Sequence, residues 1–172
     1  MNRSIHLQPD ELARIVVQAA ANAQGEGFWS GPGSAAEDAG RHLVRVLGLL
    51  LGGDDDVDAR ELNLFAQIHA AATGEHLAHD ELLEAVDEGV AIADDPERVE
   101  AFLTTTPPFL QAVIAMDRER GTRNAEQVVT AISGLALALL AADGKAEPEE
   151  DAVFTTHLEH LRREIGTIDP TP

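Results

Sequence analysis

The side chains of this chain best placed to do chemistry are carboxylates, and they are concentrated twice in one pattern. The first stretch is Leu50-Leu51-Gly52-Gly53-Asp54-Asp55-Asp56-Val57-Asp58-Ala59-Arg60-Glu61. The second is Leu139-Leu140-Ala141-Ala142-Asp143-Gly144-Lys145-Ala146-Glu147-Pro148-Glu149-Glu150. One offset of 89 residues carries Leu50 onto Leu139, Leu51 onto Leu140, Asp54 onto Asp143, Asp58 onto Glu147, Glu61 onto Glu150 and Phe65 onto Phe154, the mark of an internal duplication. Asp54, Asp56, Asp58 and Glu61 gather oxygen donors around the first loop, and Asp143, Glu147 and Glu150 around the second. Ca²⁺ and Mg²⁺ favour such hard donors; Zn²⁺, which prefers nitrogen and sulfur, suits them less.

Helix capping is the competing explanation. Gly144 suits a helix C-terminus, Pro148 suits a first helical position, and Glu147 with Glu150, like Asp58 with Glu61, has capping-box spacing. Asp54 and Asp143 are what capping leaves over. They sit where apolar helices should end, and there the macrodipole disfavours a negative charge by several tenths of a kcal/mol. Neighbouring Asp55 and Asp56 add like-charge repulsion, so a cation is the natural compensation. An EF-hand is not the answer: Asp54, Asp56 and Asp58 match its first ligands, but Ala59 stands where its glycine belongs and Phe65 where its bidentate glutamate belongs. Caps and a divalent-cation site remain two open readings of the same loops.

Histidines offer other chemistry. His76 with His79, and His157 with His160, have the i, i+3 spacing that can aim two imidazoles at one Zn²⁺, although neither pair has an obvious third ligand. His42, the His79-Asp80 dipeptide and Asp143 are loosely similar to the metal ligands of HD-type phosphohydrolases, which activate water against phosphate esters. Against that reading, His79-Asp80 followed by Glu81 looks like a helix start. Phe28 and Trp29, on the glycine-rich stretch from Gly25 to Ser34, either close a core edge or dock onto a protein partner. Neither Gly25-Glu26-Gly27 nor Gly31-Pro32-Gly33 follows a strand, which argues against nucleotide binding.

These residues must be positioned by helices. The 172 residues suffice for one domain with a substantial core, and 44% of them are apolar. Leu, Val, Ile and Ala dominate that fraction, with five Phe, one Trp and no Tyr, so base-stacking platforms are not expected. Apolar residues recur with helical period from about Pro9 to Gln24, Ala35 to Leu51, Asp58 to Gly74, Asp80 to Ala93, a short stretch from Pro96, then Pro108 to Gly121, Arg123 to Ala142 and Pro148 to Ile165. No segment alternates with period two. The expectation is all-α: a single compact domain over 1–165 with about eight helices and an internal two-fold repeat centred on 43–73 and 132–162. In the fourth helix Leu82, Leu83, Val86 and Val90 are expected to face inward. Residues 166–172 read as a flexible tail or linker.

Acids outnumber bases 31 to 12, for a formal charge of -19. Such a surface repels nucleic acid and anionic lipid and favours cations or a basic protein partner. Without cysteine there is no disulfide or thiolate site, and the longest apolar run, Leu135 to Ala142, is too short to span a bilayer. A cytoplasmic protein without membrane insertion is the expectation.

The segment Ala141-Ala142-Asp143-Gly144-Lys145-Ala146-Glu147-Pro148-Glu149-Glu150, between an apolar and an amphipathic helix, resembles the signature of TerB-like tellurite-resistance proteins, a family that includes the N-terminal-like domain of the co-chaperone DjlA. The resemblance spans roughly Leu43 to Leu161, and its most specific part is Asp143-Gly144 with Glu150, matched by Asp54 and Glu61. Copy one departs from the pattern, with Asp55 in place of the glycine. The resemblance implies a non-enzymatic stress-response domain with an acidic divalent-cation site that acts through protein interaction. The alternatives are a structural helical adaptor without metal and, further off, the HD-type phosphohydrolase.

Overall fold

The computed structural model describes residues 8–52, 57, 59–142 and 148–166, with only the backbone of 148–151 and 153. Among these residues every regular element is a helix: α1 (Pro9–Gly25), α2 (Ala35–Leu51), α3 (Ala59–Thr73), α4 (His79–Ala93), α5 (Pro96–Leu103), α6 (Pro108–Arg120), α7 (Asn124–Leu140) and α8 (Pro148–Gly166). Seven run for 13 to 19 residues, whereas α5 has only eight. None of them is long and apolar enough to cross a membrane.

Local chemistry sets most helix starts. Pro9, Pro96 and Pro108 occupy first-turn positions that need no backbone donor. Ser34 opens α2 with a reciprocal box: Glu37 N–H donates to Ser34 Oγ at 3.1 Å, and Ser34 N–H donates to Glu37 Oε2 at 3.0 Å. Two of the helices without a capping side chain at their own N-cap residue, α6 with Pro107 and α7 with Arg123, each receive a carboxylate from another helix. Asp38 of α2 accepts from Phe109 N–H at 3.1 Å and so caps α6. Asp117 of α6, only 1% exposed, accepts from Ala125 N–H at 2.7 Å and from Asn124 Nδ2 at 2.8 Å, capping α7. Each carboxylate satisfies a donor that a helix cannot satisfy for itself and faces the positive end of the dipole.

Helix α1 lies at the centre, against α2, α3, α6 and α7. On the outer side of α2 sits α4, followed by α5, and α8 packs on α7 and α5. The core is aliphatic, with Leu43, Leu47, Ile132, Leu135 and Leu139 essentially closed to solvent and Phe65 and Phe109 fully so. Where α2 crosses α4, Gly48 and Gly89 meet backbone to backbone: a Cβ on Gly89 would lie 2.2 Å from Gly48 C and O. The buried stripe of α4 is accordingly Leu82, Val86 and Gly89. Leu83 lies about 100° round the helix from Leu82, and it is 42% exposed rather than inward as its hydrophobicity suggests.

Candidate functional site

The duplicated junctions are framed by helices in matching register. Helices α2 and α7 are both 17 residues long, beginning at Ala35 and Asn124 and ending at Leu51 and Leu140. Both starts and both ends are 89 residues apart, as are Ala59 and Pro148, where α3 and α8 begin. Phe65 and Phe154 take the same place in the second helix of each pair, and both are buried. Neither α2 nor α7 has a basic side chain in its last turn. Of the expected ligands, Asp54, Asp56, Asp58, Asp143 and Glu147 lie outside the described residues, and Glu150 is described by its backbone alone. Glu61 is described, and it is 9% exposed in the first turn of α3. A carboxylate there faces the favourable end of the helix dipole. Among the described residues no three His, Asp or Glu side chains gather as a metal site.

The aromatic loop folds onto the body of the protein. Phe28 and Trp29 are half-buried against the core, and the indole N–H of Trp29 donates to the carbonyl of Gly33 at 3.0 Å. Its ring lies over Gly31, where a Cβ would meet it at 2.5 Å.

The histidines group differently from their spacing. His76 and His79 are both exposed. His157 and His160 turn to separate partners: His157 Nδ1 lies 3.1 Å from the Leu103 carbonyl, and His160 Nε2 lies 3.0 Å from Thr106 Oγ1. The ring that His157 meets is His42, with Nε2 to Nε2 at 3.4 Å. Phe102 stacks on both imidazoles, at centroid distances of 5.3 and 5.5 Å, and Phe109 tilts against His42 at 5.7 Å. His42 is therefore held in an aromatic box, whereas His79, its companion in the phosphohydrolase reading, is on the surface.

Proton placement in the pair follows from the carbonyl. Leu103 O can only accept, so neutral His157 carries its proton on Nδ1 and presents a bare Nε2. His42 must then donate from its own Nε2, leaving its lone pair on Nδ1. Both rings are held neutral. Burial pushes His42 down from the usual 6.5 to about 3, aided by His157 and by the charge of Arg45. Burial also lowers His157, partly offset by its hydrogen bond to Leu103.

The box opens on one side. His42 and Phe102 form part of the wall of a cleft of about 310 Å³ between α2, α5 and the start of α6. Comparison with protein-family models, curated proteins and solved structures finds no match. The likeness to TerB-like domains thus rests on the junction residues themselves.

Sequence reasoning missed two buried polar groupings. His42 lies on the buried stripe of α2 between Ala39 and Val46, and His157 on that of α8 between Phe154 and Leu161. Their inward register was a signal for burial, but not for each other. Asp117 was missed as well, although Thr122 and Asn124 just after Gly121 supply the short polar groups that bind it.

Proposed function

We propose that the protein is a non-enzymatic, TerB-like helical domain that takes up divalent cations at its two acidic junctions and acts through a protein partner. The observation that supports this best is the common register of the junctions. Seven residues separate α2 from α3 and seven separate α7 from α8, and the same 89-residue offset relates the bounding helix ends and the carboxylates between them. Helix-end carboxylates without a basic residue in the preceding turn are unfavourable unless a cation neutralises them. Ca²⁺ or Mg²⁺ would tie each helix end to the next helix start by relieving repulsion among Asp54, Asp56, Asp58 and Glu61 in one loop and Asp143, Glu147 and Glu150 in the other.

The test is calorimetric titration of chelator-treated protein with Ca²⁺, Mg²⁺, Mn²⁺ and Zn²⁺. Saturable binding, weakened by Asp54→Ala and by Asp143→Ala, is the expected result. At a hundredfold excess of cation over its Kd the fold gains about 2.7 kcal/mol, so the melting temperature rises on loading. No saturable heat, together with a melting temperature indifferent to chelator, would leave the junctions as caps alone.

A further inference from the structure

Positive charge is scarce in this protein, yet part of it converges on one groove. Twelve bases serve the whole chain of net charge -19. Arg41 and Arg45 of α2 line the cleft beside His42 and Phe102. Arg45 and Phe102 also line an adjoining cleft of about 600 Å³, and Arg98 of α5 is on its wall. The two clefts therefore form one groove along α2 and α5, carrying three guanidinium groups. On α2 the positions 38, 41, 42 and 45 follow the i, i+3, i+4, i+7 spacing of a single helix face, and on α5 the positions 98, 101 and 102 begin the same spacing.

Two acids line the same clefts and offset the three arginines only in part. Asp38 is committed to capping α6 through Phe109 N–H, and its other oxygen is 3.5 Å from Arg41. Glu88 lies on the far wall, among the α4 residues of the outer cleft. Among the described residues Arg98 reaches only the Ala91 carbonyl, at 3.5 Å. Among the described residues Arg45 has neither a hydrogen-bond nor an ion-pair partner. A forked guanidinium is built for bidentate contact with carboxylate or phosphate. The ring of Phe102, with Pro107 and Pro108 nearby, offers a flat apolar wall next to that charge. The inner cleft of the groove, at about 310 Å³, is at the small end of ligand pockets and is of a size for a small molecule.

We infer that the groove between α2 and α5 binds a small organic oxyanion, a carboxylate or phosphate monoester on a compact apolar body, with Arg45 and Arg41 taking the charge and Phe102 the body. This site is separate from the acidic junctions and stands or falls independently of cation binding there.

The experiment is a titration of isotope-labelled protein followed by ¹⁵N–¹H correlation NMR at constant ionic strength, with benzoate, phenyl phosphate, inorganic phosphate and benzyl alcohol as probes. Saturable shifts confined to α2, α5 and the start of α6, with an apparent Kd below about 1 mM for benzoate or phenyl phosphate, are expected. The tighter of the two tells carboxylate from phosphate. Arg45→Gln, an exposed change that spares the core, weakens that binding by about tenfold, whereas Arg120→Gln, which breaks a surface pair with Glu26, leaves it unchanged. No saturable shift up to about 10 mM, equal binding by Arg45→Gln, or benzyl alcohol binding as well as the anions would each overturn the inference. Inorganic phosphate matching phenyl phosphate would overturn the role of Phe102.

Discussion

The imidazole pair makes stability depend on pH in a defined direction. His42 titrates at about 3 in the folded protein and at about 6.5 when unfolded, because burial among Phe102, Phe109 and His157 disfavours the imidazolium. Its folded-state value is depressed, so its contribution is fully present above pH 6.5 and is lost as pH falls from there towards 3. The unfolded chain takes up the proton first, and each unit below 6.5 then costs 1.36 kcal/mol. At pH 5 that amounts to about 2 kcal/mol, and at pH 4 to about 3. The acidic surface acts in the opposite sense, since protonating some of its 31 carboxylates relieves repulsion. The reference must therefore be a variant that keeps the surface and removes only this titration. His42→Phe does so and preserves a ring in the stack, although it leaves His157 Nε2 without its donor and so costs about 1 kcal/mol at pH 7.5. Urea unfolding followed by circular dichroism from pH 7.5 to 5 measures both proteins. The wild type should lose about 2 kcal/mol relative to the variant across that range. A difference that stays constant to within about 0.5 kcal/mol would refute the buried neutral pair, as would an imidazole ¹⁵N spectrum showing His157 protonated on Nε2 at pH 7.5.

Further outcomes follow from other contacts. Gly89→Ala gains up to about 1 kcal/mol of helix propensity, but its Cβ would enter the backbone of Gly48, so a net loss of at least about 2 kcal/mol is expected in thermal melts. Gly134→Ala is the contrast, because its Cβ would meet only the movable tip of Leu12, and it should stay within about 1 kcal/mol of wild type. Asp117→Ala leaves the Ala125 N–H without its acceptor and removes two further hydrogen bonds, a loss of about 2 to 4 kcal/mol that denaturant titration would show. Phe65→Ala, at a fully enclosed ring, should cost about 3 to 5 kcal/mol by the same measurement.

Much of the fold was legible because its signals are local. Pro9, Pro96 and Pro108 mark helix starts, Ser34 with Glu37 forms a box across one turn, and Gly121, with φ at +67°, ends α6 in the left-handed conformation that glycine adopts freely. The apolar period named the buried faces of α2 and α7 for the same reason: a helix repeats its side-chain directions every three to four residues whatever surrounds it. Leu83 shows where that logic stops. Periodicity identifies a stripe, but its width depends on what packs there, and α4 meets α2 through a stripe narrowed to Leu82, Val86 and Gly89. The carboxylates of the junctions were equally plain, as a pattern of composition and spacing.

What chain order alone determined, then, is the set of helices, most of their ends and the repeated acidic junctions, which are products of interactions within a few residues. Tertiary structure alone decided who meets whom across the fold. It brought His157 to His42 from 115 residues away, split it from His160 three positions on, and sent Asp38 to cap a helix 71 residues further along. It also drew Arg41, Arg45 and Arg98 from two helices to one groove. Such meetings depend on how helices cross, and the crossing is set by close packing of whole faces, as at Gly48 and Gly89, which no short stretch of sequence encodes.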